Sequence, residues 1–527
     1  MANKNILLIE PGYKNKYPPL GLMKLAAYHG PNGKRDNVKF IKGETDRSVF
    51  DVVWDRIYIT TLFSFEWKSI EKSIDFAIEV SRNRPNIVFV GGIAASLMTD
   101  KFVEVTKWRG VRFVKGLLSD SPAIALQLDD FVEELYSDDR TSIPIEDLIP
   151  DYSILGQIGS QYVYPVNDAY FAYASRGCVR KCHFCGVPKL EGEQRDAQPI
   201  TAVVNGINER FGPKKDLMLM DNNIVASGNF KNIIAEIRDL GFVPGATLKR
   251  GRIPVQRRVD FNQGVDARIL CKDKMYLREM STICLKPLRI AFDHIGVRKH
   301  YEKAIRFANE FGLRDLSNYM LYNFHDTPED LYQRMRLNID LNVELGIRIF
   351  SFPMRFQPTD MKDRSHVGPH WTKYQLRSMQ LILQATHGIV SGSPSFFDHA
   401  FGEDVEKFAR LLARPQHFLF NRVWYDEMGG RAEFEEFDRQ FRRLGESSRN
   451  ELLWLLSNAP RSEFASLKDK ATMDEVRSIL HFYVPPPKVE EEQVWEKMRA
   501  LNKSRSTAIP AIPADELVED ANLAEIV

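Results

Sequence analysis

Cysteine is scarce in this 527-residue chain, which has five in all. So small and odd a count excludes a disulfide framework and leads us to expect a reducing compartment, the cytoplasm. Net charge is nearly absent too. Lys plus Arg number 72 against 71 for Asp plus Glu, a formal +1, and so even a balance argues against a large nucleic-acid-binding surface. There is no apolar run of about eighteen residues that could cross a membrane. The opening Met1–Glu10 reads as a buried strand rather than a leader. Internal repeats are also missing. What remains is the composition of a water-soluble protein too long for one hydrophobic core, so two or three domains are expected.

The few cysteines are not scattered. Three fall within eight residues in Arg176-Gly177-Cys178-Val179-Arg180-Lys181-Cys182-His183-Phe184-Cys185-Gly186, spaced Cys-x3-Cys-x2-Cys. Thiolates this close on one loop can converge on one metal centre. Structural zinc and electron-transfer cubanes are normally closed by four protein ligands, whereas three cysteines on a four-iron cube leave one iron open. The residues alone leave alternatives. His183 could complete a Cys3His zinc site, or Cys271 or Cys284 could close the set. Those last two, thirteen residues apart, otherwise read as buried structural thiols.

Around this loop the chain alternates short apolar strands with helical segments. Strands are expected at Asn5–Glu10, Val38–Lys42, Arg56–Leu62, Asn86–Val90 and Val111–Val114, with a helix over Pro18–Tyr28. This order implies a doubly wound, Rossmann- or flavodoxin-like parallel sheet, with ligands at the carboxyl ends of its strands. Two such ends stand out, Thr60–Ser64 and Gly91-Gly92. Polar breaks at Asp129-Asp130 and Ser137–Arg140 precede a second alternating region. Its strands are expected at Tyr170–Ser175, Asp216–Met220, Val259–Phe261, Leu288–Phe292, Ser317–Tyr322 and Ile347–Phe352. Helices are expected between them, one over Lys272–Met280. After Pro358 the strand signals stop. Helices are expected at Thr372–Thr386, Asp404–Leu412 and Arg431–Trp454, with Trp371, Trp424, Tyr425 and Trp454 filling a helical core, and an acidic flexible tail at Ala508–Val527.

The cysteine spacing resembles the radical S-adenosylmethionine (radical SAM) superfamily, whose signature is Cys-x3-Cys-x-aromatic-Cys. The resemblance implies a 4Fe-4S cluster on Cys178, Cys182 and Cys185, with SAM on the open iron. Reductive cleavage of SAM would give a 5′-deoxyadenosyl radical for C–H activation. It places Phe184 against the adenine. The six strand–helix pairs then fit that family's partial (β/α)6 TIM-type barrel, whose sites gather at the carboxyl ends of strands. Asp221-Asn222-Asn223 stands where the family often has Gly-Gly-Glu holding the SAM amino group. Arg268 is the candidate partner of the SAM carboxylate, and Asn262, Gln263 or Asp266 could bind ribose hydroxyls. Later strand ends carry Asp293-His294, Asn323-Phe324-His325-Asp326 and Arg355-Phe356-Gln357, of which His294 or His325 could act as acid or base.

Pro-Pro-Leu-Gly-Leu (18–22), Ser64 and Val88–Gly92 resemble the cobalamin-binding-type domain that precedes this barrel in one large subgroup. Asp-x-His-x-x-Gly is absent, so no lower axial histidine carries over, and cobalamin could be bound or lost. The implied layout is a cobalamin-binding-like domain (1–130), a connector (131–167), the barrel (168–360), a helical region (361–485), and a helix with its tail (486–527). The implied partners are SAM, a substrate, and an electron donor such as flavodoxin or ferredoxin. Methyl transfer, rearrangement or oxidation could follow. A methylthiotransferase would need three more cysteines before Cys178, and none is there. The rival class is a zinc- or iron-sulfur-containing binding protein without radical chemistry.

Overall fold

The computed structural model describes residues 3–118, 123–124 and 144–506. The polar breaks at 129–130 and 137–140 and the acidic stretch 508–527 lie outside them. The chain divides into two compact units. The first is Met1–Ala291 with Lys299–Leu316 and Gln357–His366. The second is Phe292–Arg298 with Ser317–Phe356 and Val367–Val527. This division runs through residues 168–360, the span expected to form one barrel.

The first unit opens with a six-stranded sheet: β1 (Asn5–Glu10), β2 (Asn37–Lys42), β3 (Arg56–Thr61), β4 (Val88–Gly92), β5 (Arg112–Lys115) and β6 (Ala123–Ile124). Their order is β2-β1-β3-β4-β5-β6. The first five run parallel, and β6 is antiparallel to β5. Ile6, Leu7, Leu8 and Ile9 are wholly buried, as expected of a strand covered on both faces. Helix α1 (Leu20–His29) follows β1, and α2 (Trp67–Val80) follows β3. Trp67, Ile70, Ile74 and Ala77 recur at helical spacing and pack with Ile57, Ile59, Val88 and Val90. The strand order reverses between β1 and β3, and in open sheets of this kind ligands bind at such a switch point.

At the end of β4, Gly92 has φ +101°, and a Cβ there would sit 2.4 Å from the Thr61 carbonyl oxygen. Gly92→Ala should therefore cost about 1–3 kcal/mol, read as a lower melting temperature with secondary structure unchanged at 20 °C.

The same unit continues through β7 (Ala169–Ala172), β8 (Ser175–Arg176), β9 (Arg195–Asp196), β10 (Asp216–Leu219), β11 (Thr247–Arg250), β12 (Ile253–Gln256), β13 (Val259–Asp260) and β14 (Leu288–Arg289). β7, β10 and β13 form a parallel sheet in the order β13-β10-β7. Helices α3 (Ile200–Phe211) and α4 (Phe230–Asp239) make the crossovers. Two features differ from expectation. The strand expected over 170–175 is split at Tyr173-Ala174, because Ser175 and Arg176 leave the sheet to pair with Asp196 and Arg195. An antiparallel hairpin, β11–β12, stands between α4 and β13; its strands are short and almost wholly exposed, with no buried face to mark them.

The second unit carries β15 (Asp315–Tyr322) and β16 (Arg348–Arg355), neighbours in a sheet and joined through helix α5 (Pro328–Leu345). A capping box between Thr327 and Asp330 starts α5, and Gly346 in the left-handed region ends it. Beyond it the chain is helical. The helix expected over 431–454 is two, Arg431–Arg443 and Glu446–Asn458, broken at Leu444-Gly445. Trp424 and Tyr425 join the helical core, while Trp371 is buried beside Tyr322 with ring centroids 5.3 Å apart. Trp454 is not a core residue. Leu452, Leu455 and Leu456 turn inward on its helix, which leaves the indole 63% exposed. Among the described residues no helix is long and apolar enough to cross a membrane.

Candidate metal and cofactor site

The cysteine loop leaves β7 through a brace built around Asp221. This carboxylate, at the end of β10, accepts from the Ala174 amide (2.9 Å) and from both the amide and the hydroxyl of Ser175 (2.5 and 2.6 Å). Burial pushes its pKa up to about 6, although those donors pull the other way. The geometry thus assigns Asp221 to holding the loop's entry, where the sequence pointed to the SAM amino group. Gly177 comes next with φ +73°, and a Cβ there would meet the Glu193 carbonyl oxygen at 2.1 Å, so only glycine fits before the first cysteine. Glu191 accepts from the Gly177 amide (2.8 Å) and from the Asn222 side chain (2.9 Å). Arg176 reaches Glu146 (3.6 Å) and Glu191 (3.4 Å).

None of the five cysteines is in a disulfide, and Cys178, Cys182 and Cys185 are half-buried. Backbone N–H groups point at sulfur. Arg180 donates to Cys178 Sγ and Val187 to Cys185 Sγ, each at 3.4 Å, and Asn223 Nδ2 stands 4.0 Å from Cys178 Sγ. Donors of this kind orient a sulfur ligand and tune the metal it holds. The rival ligands are placed poorly. His183 is exposed. Cys271 is buried, its thiol donating to the Arg268 carbonyl (3.6 Å). Burial pushes the Cys284 thiol up to about 11. Among the described residues no three His, Cys, Asp or Glu side chains are grouped to hold one metal ion. A cube whose ligands bind different irons needs no such convergence. The donor set fits a cluster held by three thiolates.

The third strand end meets this loop through Asp266. It caps the short helix Ala267–Leu270 at the Arg268 amide (2.9 Å) and takes Arg268 Nε (2.8 Å) and Nη2 (3.1 Å). Arg180, from between the first two cysteines, donates at 2.5 Å to the oxygen that Arg268 Nη2 also holds. Burial pushes Asp266 up, but Arg268 and Arg180 outweigh it and hold the carboxyl below its ordinary value. Two guanidiniums thus share one carboxylate beside the loop. Asn223 ties the set together, its Oδ1 accepting from the Asp266 amide (3.3 Å). Asn262, at φ +58°, accepts from the Tyr17 hydroxyl (2.7 Å), and Gln263 is exposed.

Phe184 is half-buried, as is Ser64, which starts a 3-10 turn over Ser64–Glu66. Gly91 and Gly92 close β4. In the second unit His294 and His325 are both exposed. Asp326 is buried against Arg334 (3.2 Å), and Asn323 staples Phe356 (3.1 Å) to Gly368 (2.7 Å). Sequence reasoning missed Arg180, Glu191 and Tyr17, and singled out Asn223 only as part of the Asp221-Asn222-Asn223 strand end. A guanidinium set between two cysteines was the one signal for Arg180; the others are joined only by folding.

No family model matches the chain, and no curated protein matches it. Among solved structures it is similar to TsrM from Kitasatospora setae, described as a radical S-adenosylmethionine methyltransferase with cobalamin and 4Fe-4S cluster bound. That match has 14% identity and TM-score 0.46, and covers 68% of this chain and 77% of that one. A second TsrM structure, with tryptophan substrate and the SAM analogue aza-SAM, gives 14% and 0.45, over 68% and 75%. Streptococcus suis SuiB bound to precursor peptide SuiA gives 13% and 0.26, over 37% and 42%. Likenesses at this level define neither a family nor an activity.

Proposed function

We propose that this chain is a radical SAM enzyme. The observation that carries the reading is the loop itself: three half-buried thiols on one turn, two of them with backbone N–H groups turned toward sulfur. Cys178, Cys182 and Cys185 would hold a 4Fe-4S cluster. When bound, the cluster supplies the electron that splits SAM and yields a 5′-deoxyadenosyl radical for hydrogen abstraction.

The chain's own residues do the positioning. Arg268, with Arg180 sharing Asp266, supplies the positive charge for a methionyl carboxylate. Asn222 offers an amide to the methionyl group, and Phe184 packs on the adenine. Asn262 and Gln263 face the ribose. His294 and His325 are the candidates for proton transfer on the substrate. Flavodoxin or ferredoxin in a reducing cytoplasm would deliver the electron.

If cobalamin is bound, the ends of β3 and β4, where Ser64, Gly91 and Gly92 lie, would hold it. The same ends are packed by this chain's own residues, Arg364 over Phe65 (4.2 Å) and Lys362 over Trp67 (4.0 Å). Corrinoid absorption in the purified protein would favour methyl transfer; its absence favours rearrangement or oxidation.

Anaerobic reconstitution tests the proposal. The expected result is a brown protein with about four irons per chain that forms 5′-deoxyadenosine from SAM after reduction. One tightly held zinc per chain instead would make it a binding protein.

A further inference from the structure

Just before β13 the chain carries a run of one sign of charge. From Gly241 to Arg258 there are five lysines and arginines and no aspartate or glutamate. Lys214 and Lys215, which lead into β10, add two more. Two carboxylates pair with them: Asp168, which leads into β7, takes Arg250 (2.9 Å), and Asp216 takes Arg258 (3.1 Å) and Lys215 (3.6 Å). Lys249 and Arg252 are exposed and have no ion-pair partner among the described residues. In a chain whose formal charge is only +1, such a local excess attracts an anionic partner. These groups stand where β7, β10 and β13 begin, whereas the cysteine loop and its brace leave the carboxyl ends of the same sheet. The patch therefore has no part in the candidate metal site.

The charge sits on a ribbon with open edges. β11 and β12 form a two-stranded sheet of their own, each strand four residues long and almost wholly exposed. Two strands leave a row of unpaired N–H and C=O groups on each outer side, and a lone pair of short strands is marginal in water. Pro254 has no N–H, so β12 offers the poorer edge and β11 the complete one. Cross-strand partners share a face. Leu248 lies opposite Val255 and Arg250 opposite Ile253, while Lys249 lies opposite Pro254 on the other face. One face is thus mainly aliphatic, with Ile253 77% exposed, and its Arg250 is already held by Asp168. The ribbon has no aromatic ring on which a base could stack. Exposed aliphatic side chains beside unpaired cations suit a polypeptide better than a nucleic acid.

We propose that β11 accepts an extended acidic segment of another polypeptide as a third strand. The segment's backbone pairs with the free edge of β11. Its side chains alternate between the two faces. Carboxylates meet Lys249 on one face and Arg252 at the turn; aliphatic side chains lie on the other face with Leu248, Val255 and Ile253. The pattern recognised is acidic and apolar residues in alternation. This docking site stands whether or not the cysteine loop takes SAM.

The test is fluorescence anisotropy of a short labelled peptide of alternating glutamate and valine, titrated with the full-length protein. Wild-type protein should bind it, more weakly as salt rises. A peptide of the same composition, with its glutamates and valines in two blocks, should bind about tenfold more weakly. Lys249→Glu combined with Arg252→Glu should lose about tenfold at unchanged melting temperature. Two N-methylated probes keep the answer independent of how that variant folds. Methylating every glutamate nitrogen blocks one row of amides and methylating every valine nitrogen blocks the other, so one probe should lose binding and the other keep it. No binding of the alternating peptide would mean that Lys249 and Pro254 only keep the edges from self-association, and overturns the proposal. Equal binding of the two methylated probes, or of wild-type and charge-reversed protein, overturns it as well. So does tighter binding of single-stranded DNA of the same length, which would make the ribbon a nucleic-acid contact.

Discussion

Cys182→Ala protein, reconstituted anaerobically, should hold no intact cluster and form no detectable 5′-deoxyadenosine from SAM. Cys182 is the middle cysteine of the three, and its carbonyl accepts from the Cys185 amide (3.1 Å). On the proposed reading, removing its sulfur would leave two thiolates to hold the cluster, and His183, exposed on the same loop, is no replacement. Cys271→Ala is the control, because that thiol is buried and already donates to a backbone carbonyl; iron content should be unchanged. Asn223→Ala should fall between them. It removes the side chain beside Cys178 and the acceptor for the Asp266 amide while sparing every ligand, and outer-shell losses of this kind cost about 10- to 100-fold in affinity or activity. Iron and deoxyadenosine assays decide all three. Undiminished iron and turnover in Cys182→Ala would mean that these thiols do not hold the cluster.

How far this centre could be read in advance depends on whether its parts are local. Cys178, Cys182 and Cys185 are fixed by spacing on one loop. The N-terminal sheet was legible because fully buried parallel strands are short apolar runs between amphipathic helices. The brace was not. Asp221 was singled out by its position at a strand end, but which way a strand-end carboxylate turns depends on the split of β7 from β8 at Tyr173-Ala174, and no local pattern announces that split. Arg180 and Asp266 are 86 residues apart, and Tyr17 and Asn262 are 245 apart. Pairings of that range are decided by topology. The broken helix at Leu444-Gly445 shows the same limit. Its charged, periodic flanks continue the helical pattern on both sides of the break.

The largest stability effect should come from beneath the third strand end. Asp260, in β13, is buried and takes both Nε (2.9 Å) and Nη2 (2.7 Å) of Arg289, itself buried in β14. Asp260→Ala would strand that guanidinium without its carboxylate, a change worth about 3–5 kcal/mol. The apparent melting temperature should fall by roughly 5–15 °C. The loss reaches the site, because Asp260 also accepts from the Asn262 amide (2.7 Å) and so holds the turn that meets Tyr17. SAM binding should weaken along with stability. Replacing both partners, Asp260→Leu with Arg289→Met, should recover much of the melting temperature, since no charge is then left buried, but not the hold on Asn262.

Acid should act through the same pair. Burial pushes Asp260 up, but Arg289 outweighs it and holds the carboxyl below its ordinary value. Its contribution is therefore present above the ordinary aspartate range near about 4 and is lost as pH falls through the lower, folded value. Asp221 runs the opposite way. Raised to about 6 by burial, it favours the fold most below about 4 and progressively less as pH rises toward 6. Melting curves for wild type and Asp260→Ala between pH 3 and 7 separate the two. The gap between the proteins should be full from pH 5 upward and narrow only at the acid end. A gap that instead widened as the solution was acidified would show that Asp260 is not held ionised by Arg289.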